Sequence, residues 1–165
     1  MIALSSPPRL VAPTADVRIS FLTGEQTDCM DSGLDTDWLG PASADFEAYV
    51  ASCRGVRRRW EVPFTTFWYV SGEHYLGTLA LRYELTPELL AEGGHIGYHV
   101  SPAWRRQGHA TRMLAAGLEK ARRIGLHRAL LTCDPANEAS RKVIVANGGV
   151  PDTMLAAELR FWIAL

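Results

Sequence analysis

The second half of the chain alternates between hydrophobic patterns typical of strands and patterns typical of helices. FTTFWYV (64–70) and YLGTLALRYEL (75–85) are rich in β-branched and aromatic residues and flank the turn sequence SGEH. They therefore predict an antiparallel hairpin. TPELLAEGG predicts a connector with one helical turn from Thr86, and HIGYHV (95–100) predicts a third strand.

A long amphipathic helix is predicted next, with Gly125 at its C-terminal end. RALLTCD is apolar enough to predict a central, parallel fourth strand, NEASRKVIVAN predicts another helix, and ELRFWIAL predicts a last strand. This alternation predicts an α/β fold with a mixed sheet. The apolar stripe of the long helix comprises Ala110, Met113, Leu114, Gly117, Leu118 and Ala121.

The first half of the chain has weaker patterns. VRISF (17–21) alternates apolar and polar residues and predicts a short strand, whereas residues 31–43, rich in Asp, Gly and Ser, predict a loop. DFEAYVASC has apolar residues at helical spacing and predicts a helix with Ser43 as its N-cap. The length of 165 residues indicates one domain over 1–165, in which 1–62 precedes a hairpin and ligand-binding core at 63–165.

Composition and charge exclude several classes of partner. The formal net charge is −1, so no overall electric field would recruit nucleic acid or a membrane surface, and an anion site must be local. The three cysteines form no CxxC pair, which favours reduced thiols in the cytoplasm over a disulfide framework or a zinc site. The N-terminal residues lack the pattern of a signal peptide, and no apolar run has the length of a membrane span.

The segment VSPAWRRQGHATRML places two arginines where the long helix is predicted to begin. A cation at a helix N-terminus costs about 0.3–1 kcal/mol. Charge-assisted hydrogen bonds from Arg105 and Arg106 to an anion would each contribute about 1.5–3 kcal/mol, which outweighs that cost. Gly108 and Ala110 leave room for close approach to the backbone, whose unpaired N–H groups suit a pyrophosphate.

This segment contains neither GxxxxGK[ST] nor GxGxxG, but Val100, Pro102, Arg105, Gly108 and Ala110 form V-x-P-x-x-R-x-x-G-x-A. It resembles the loop of the GNAT superfamily of acetyl-CoA-dependent N-acetyltransferases. Three further features strengthen the resemblance, which covers about residues 63–165: Asn137 at the start of the next helix, Ser140 one turn later, and the Asn-Gly-Gly at 147–149. GGHIGYHVSP, LLTCD and RFWI are similar to a subgroup of predicted bacterial acetyltransferases.

The resemblance implies a mainly antiparallel central sheet with helices on both faces, and a site for acetyl-CoA as co-substrate. Backbone at His99 and Val100 would pair with the pantetheine arm. Asn137 and Ser140 would contact the far side of the cofactor. The pyrophosphate would be held by N–H groups and side chains of Arg105, Arg106, Gln107, Gly108, His109, Ala110 and Thr111.

The implied chemistry is attack of a primary amine on the thioester, which needs a proton acceptor for the amine and a proton donor for the thiolate. Many family members use a tyrosine as donor, but the corresponding position here is Ile144. Tyr98 and Cys133 remain as candidate acids and His95 as candidate base. Each has a structural alternative: a core tyrosine, a small buried thiol and a turn histidine.

The resemblance also implies that the acceptor is a small-molecule or peptide amine. The connector before the cofactor strand contains Glu84, Glu88 and Glu92, and these three carboxylates would favour a cationic acceptor. Glu84 and Glu92 could also relay a proton through water. The alternative is that the connector is only a solvated acidic loop. Two other functions stay open: a non-catalytic acyl-CoA sensor, and RNA binding by the arginines at 54–59. Near-neutral charge disfavours RNA. The motif FWI at 161–163 suits a core or a homodimer contact.

Overall fold

The strands form two antiparallel sheets that meet at one point. This computed structural model describes residues 2–165, and Met1 lies outside the described part. The first sheet has the order β1–β3–β4–β5, with β2 also paired to β3, and the second has the order β6–β8–β7. The strands are β1 (Arg9–Val11), β2 (Val56–Arg59), β3 (Val62–Ser71), β4 (His74–Arg82), β5 (Ile96–Val100), β6 (Arg128–Cys133), β7 (Val150–Asp152) and β8 (Leu159–Ala164).

Helices cover both faces of the first sheet. Met113 and Leu114 of the long helix pack with Leu79 and Leu81 on one face. On the other face, the Phe21 ring stacks on Trp68 with centroids 4.7 Å apart. The helices are α1 (Arg18–Ser32), α2 (Gly40–Ala44), α3 (Phe46–Cys53), α4 (Pro87–Ala91), α5 (His109–Arg123) and α6 (Glu138–Ala146).

The predicted α/β fold with a mainly antiparallel sheet is confirmed, and so are the hairpin and both long helices of the second half. In the hairpin, the pairing of β3 with β4 runs from Phe64 opposite Arg82 to Ser71 opposite His74, with a bulge between Tyr69 and Val70. The prediction that RALLTCD forms a central parallel strand was wrong. This strand is β6, an edge strand that runs antiparallel to β8. Their pairing extends from Arg128 opposite Ala164 to Cys133 opposite Leu159.

The N-terminal half differs more from its predictions. VRISF is not a strand: it leads into α1, and Val17 just before the helix recurs every four residues with Phe21, Glu25 and Cys29 within it, all four being buried. Val17 and Phe21 are four residues apart, which fits one helix face as well as one strand face, and the exposure of Ile19 agrees with the helix. Residues 31–43 are not only loop, because Pro41 helps to start α2. Helix α3 is confirmed, but Asp45 rather than Ser43 caps it by accepting from the Ala48 N–H.

The two sheets meet where β5 begins. The His95 N–H donates to the Leu130 carbonyl at 2.8 Å, and the Leu130 N–H donates to His95 Nδ1 at 2.9 Å. Gly94 suits this contact, because a Cβ there would lie 2.3 Å from the Leu130 carbonyl oxygen. Within residues 2–165, β5 forms no ladder with β6 beyond this point. The outer edge of β5 therefore keeps backbone groups free to pair with a ligand.

Candidate functional site

The turn between β5 and α5 exposes the first N–H groups of a fifteen-residue helix. Gly108 is the N-cap residue with φ 78°, a left-handed conformation that favours glycine, and it has no side chain to cap the helix. The N–H groups of the first turn therefore stay available. Because these groups converge at the positive end of the helix dipole, they suit an anion such as a phosphate.

A cleft of about 630 Å³ opens between this turn, β5 and α6. It lies along the edge of β5 that no strand of the described residues covers. Most of the residues predicted to bind a cofactor meet there. The predicted residues that line it are Tyr98, His99, Val100, Arg105, Arg106, Gly108, His109, Ala110, Thr111, Asn137 and Ser140.

The two arginines of the turn have different environments. Arg105 Nε donates to the Val100 carbonyl at 2.8 Å, and its guanidinium pairs with Asp28 of α1, so Arg105 braces the turn. Arg106 is exposed to the cleft and has φ 63°, a conformation that non-glycine residues rarely adopt. Gln107 is not among the residues that line the cleft, and its side chain donates to the Ala103 carbonyl. Arg106 is thus the arginine whose side chain is placed to meet an anion.

Two hydroxyl groups bridge the cleft at its inner end. Tyr98 Oη on β5 lies 2.7 Å from Ser140 Oγ on α6. The Asn137 side chain accepts from the Ser140 N–H at 3.0 Å and so caps α6. Burial raises the pKa of Tyr98, whereas the hydrogen bond with Ser140 lowers it. Ile144, where the resemblance would place a tyrosine, is fully buried. Because isoleucine has no proton to donate, that position offers no alternative acid to Tyr98.

His95 and Cys133 do not line the cleft. His95 is 7% exposed, and its Nδ1 is occupied by the Leu130 N–H at the junction of the sheets. Burial, with Arg128 and Arg82 nearby, lowers the pKa of His95 to about 4. Burial also raises the pKa of the Cys133 thiol. Both residues have the surroundings of structural groups.

The acidic connector lies at a different cleft. Glu88 and Glu92 line a hollow of about 480 Å³ with Trp60 and Arg82. The Arg82 guanidinium lies 4.3 Å from the centre of the Trp60 ring and donates to the carbonyls of Gly93 and Gly94. Glu92 accepts from the Ala157 N–H at 3.2 Å, and Glu84 is exposed beyond the hollow.

Helix α1 supplies two carboxylates that the sequence patterns did not reveal. Glu25 Oε1 lies 3.1 Å from His99 Nε2, and Asp28 Oδ2 lies 3.6 Å from His99 Nδ1. His99 was expected to contribute backbone only; it lines the cleft, and its side chain also contacts these two carboxylates of α1. The four-residue spacing of Val17, Phe21 and Glu25 was the available signal for α1, and it marks Glu25 as buried.

The sequence profile described as the acetyltransferase (GNAT) family matches residues 31–148, more than half of the chain. The chain belongs to the GNAT acetyltransferase family. The GNAT domain uses acetyl-CoA as its acetyl donor, as the sequence resemblance implied. No curated protein sequence matches the chain.

Solved structures of other GNAT acetyltransferases share the fold. RimL, a ribosomal L7/L12 alpha-N-protein acetyltransferase in complex with coenzyme A, is 16% identical with TM-score 0.67, covering 99% of this chain and 97% of its own. Mycobacterium smegmatis RimJ, in complex with CoA-disulfide, is 21% identical with TM-score 0.67, covering 96% and 86%. The microcin C7 self-immunity acetyltransferase MccE, in complex with acetyl-CoA and AMP, is 9% identical with TM-score 0.62, covering 98% and 94%.

The GNAT site fits acetyl-CoA on the geometry of this chain alone. The positive φ of Gly108 opens the helix start to a pyrophosphate, and the free edge of β5 offers a strand-like partner to the pantetheine amides. Among residues 2–165, no group of three or more His, Cys, Asp and Glu side chains could hold a metal ion, and no helix has the length and apolarity to cross a membrane.

Proposed function

We propose that this GNAT protein transfers the acetyl group of acetyl-CoA to a primary amine of a small molecule or peptide, by direct attack in a ternary complex. The observation that carries the proposal is the open cleft, which unites the Gly108 turn, the free edge of β5 and the Tyr98–Ser140 pair. Together these features offer a phosphate-binding turn, a strand edge that can pair with pantetheine, and a proton donor.

The donor lies along β5 in this proposal. N–H groups from Gln107 to Thr111 bind the pyrophosphate with the Arg106 side chain, and the backbone at His99 and Val100 pairs with the pantetheine. Asn137 and Ser140 form the opposite wall. A backbone N–H on the free edge of β5 stabilises the negative charge that develops on the thioester oxygen.

The acceptor amine must lose a proton before it attacks. At pH 7 this costs about 4.6 kcal/mol for an alkyl amine with a pKa near 10.4, and about 1 kcal/mol for a peptide α-amine with a pKa near 7.8. The nitrogen then forms a bond to the acetyl carbon and loses a second proton to solvent as the amide forms, while the carbon–sulfur bond breaks and the thiolate takes a proton. Tyr98 donates that proton and is reprotonated through Ser140, whose hydroxyl lies 2.7 Å away.

Residues of both halves of the chain build this unit. Asp28 pairs with Arg105 and Glu25 contacts His99, so segment 1–62 supports the cleft of segment 63–165. We therefore propose residues 1–165 as one acetyltransferase domain. Its buried free cysteines, Cys29, Cys53 and Cys133, suit the reducing cytoplasm.

The acceptor class is proposed as peptide or small-molecule amines. RimL, which shares the fold, is a ribosomal L7/L12 alpha-N-protein acetyltransferase, and this favours a peptide α-amine here as well. Phe161 and Ile163 are buried within the second sheet, so a homodimer contact would have to use other residues. Thiol release from acetyl-CoA, measured against free amino acids, polyamines and short peptides, tests the proposal, with mass spectrometry to confirm the acetylated product.

The second candidate is a non-catalytic acyl-CoA sensor. The buried Ile144, at the position where many relatives have a tyrosine, favours it. Calorimetry with CoA separates the two functions. Binding with thiol release above the uncatalysed rate for an amine supports the enzyme. Binding without release for any amine supports the sensor, and no binding contradicts both.

A further inference from the structure

His99 lines the cleft, and its side chain lies between two carboxylates of α1. Its ring is 29% exposed, on the face of β5 turned toward α1. Its Nε2 lies 3.1 Å from Glu25 Oε1, within hydrogen-bond distance. Its Nδ1 lies 3.6 Å from Asp28 Oδ2, too far for a hydrogen bond.

Glu25 is held in place from behind. Its side chain is 9% exposed, and its Oε1 accepts from the Tyr75 hydroxyl at 2.7 Å. Burial and the neighbouring carboxylate of Glu25 raise the pKa of Tyr75 well above its ordinary value, so this hydroxyl stays protonated and donates. Glu25 is therefore left as an acceptor for His99, and this fixes the ring tautomer: Nε2 carries the proton and Nδ1 has the lone pair.

We infer that His99 is the catalytic base that takes the proton from the acceptor amine, and that Glu25 is its positioning residue. This inference rests on the proposed acetyl transfer. The ammonium gives its proton to His99 Nδ1, directly or through one water molecule, and the neutral amine attacks the thioester and releases its second proton to solvent as the amide forms. After CoA thiol and amide leave, His99 returns the proton to solvent.

The charged groups around His99 suit both states of the ring. Glu25 and Asp28 face it from α1, Tyr75 stands behind Glu25 on β4, and Arg105 pairs with Asp28 from the turn. The carboxylates stabilise the imidazolium that forms, while Arg105 offsets part of the charge of Asp28. His95 has no comparable access, because its Nδ1 already accepts a backbone N–H.

The kinetic test compares three histidine variants with the best amine found in the screen described above. His99→Gln should lower kcat about a hundredfold or more and remove the acidic limb of the kcat/KM–pH profile, while CoA affinity in calorimetry changes less than threefold. Imidazole added to His99→Ala should restore part of the rate. His127→Gln, an exposed histidine outside the cleft, is the matched control and should keep the wild-type profile.

Glu25→Gln tests the positioning role. The amide can still contact the ring but no longer imposes one tautomer, so kcat should fall about tenfold while KM for the amine stays flat. Wild-type rates with an unchanged pH limb in His99→Gln would overturn the inference while leaving acetyl transfer intact. Absence of transfer in the wild-type protein would overturn the proposed function instead.

A measurement without any acceptor addresses the same geometry. Long-range ¹H–¹⁵N correlation spectra of the wild-type protein, assigned with His99→Gln, report which ring nitrogen carries the proton at pH 8. The expected result is protonated Nε2 and unprotonated Nδ1. A proton on Nδ1 would overturn the inference even if no amine in the screen is acetylated.

Discussion

The hydroxyl of Tyr98 lies 2.7 Å from the hydroxyl of Ser140, and the pair joins β5 to α6 across the cleft. The two residues are 42 positions apart in the chain, so only the fold brings them together. A phenol with a second hydroxyl behind it can donate one proton and recover another without moving. This arrangement is the basis of the first prediction.

Tyr98→Phe should lower kcat about a hundredfold, because the leaving thiolate loses its proton donor. The affinity for CoA should change less than threefold, since the backbone of β5 is untouched. Tyr83→Phe is the control: the Tyr83 hydroxyl bonds to Thr65 at 2.8 Å, outside the cleft. Steady-state kinetics and calorimetry on both variants check the prediction. An equal loss of rate in the two would assign it to general destabilisation.

Gly108→Val should weaken CoA binding at least tenfold. Valine disfavours the φ of 78°, and a Cβ at this position would lie 2.9 Å from Arg112 Nη1. The valine side chain would therefore reduce the space for a phosphate at the N-terminus of α5. Gly125→Val is a matched control, because Gly125 has φ 92° with open space around it at the other end of α5. Both variants should lose stability in thermal unfolding, and only Gly108→Val should lose CoA affinity in calorimetry. Unchanged affinity there would argue against the phosphate site.

His95 should make the protein less stable in mild acid. Its pKa is about 4 in the folded chain and near 6.5 when unfolded, so the unfolded state binds the extra proton first. The stabilising contribution is therefore complete above about pH 6.5 and is lost as the pH falls toward 4. The loss should be on the order of 1–2 kcal/mol after allowance for solvent screening.

His95→Gln provides the check, because glutamine can accept from the Leu130 N–H but does not titrate in this range. Urea unfolding at pH 7 and pH 4.5 should show a smaller difference in the free energy of unfolding for this variant than for wild type. Identical differences would place the acid sensitivity elsewhere.

Glu88→Lys should raise the apparent dissociation constant of a cationic amine if the hollow beside Arg82 receives the acceptor. The effect should shrink in salt, because exposed charges are screened beyond about 8 Å at physiological ionic strength. Glu88 is a cleaner choice than Glu92, which also accepts from the Ala157 N–H. The acetyl-CoA constant serves as internal control. If the best acceptors in the screen are neutral or anionic amines, and Glu88→Lys does not change their binding, these glutamates are surface residues without a role in acceptor binding.

The sequence predicted the local backbone features of the cleft. The Gly108 turn and the Asn137 cap depend on neighbours within a few residues, so their patterns are visible in the chain. The direction of β6 was missed because burial on both faces makes a strand uniformly apolar whichever way its partners run. The His99–Glu25 contact spans 74 positions and involves α1, whose start VRISF also fits a strand. No short pattern encodes such a contact.

The junction between His95 and Leu130 has a consequence for how this protein could be tuned. Two hydrogen bonds at one end fasten the sheets together, and farther along no ladder in the described chain sets their separation. Leu114 of α5 and Ile144 of α6 belong to the core that joins both sheets, and we expect the volumes of such side chains to set that separation. The width of the cleft therefore depends on the volumes of core residues. Acyl chains of different bulk could be accommodated by repacking the interior while every residue that touches the donor stays the same.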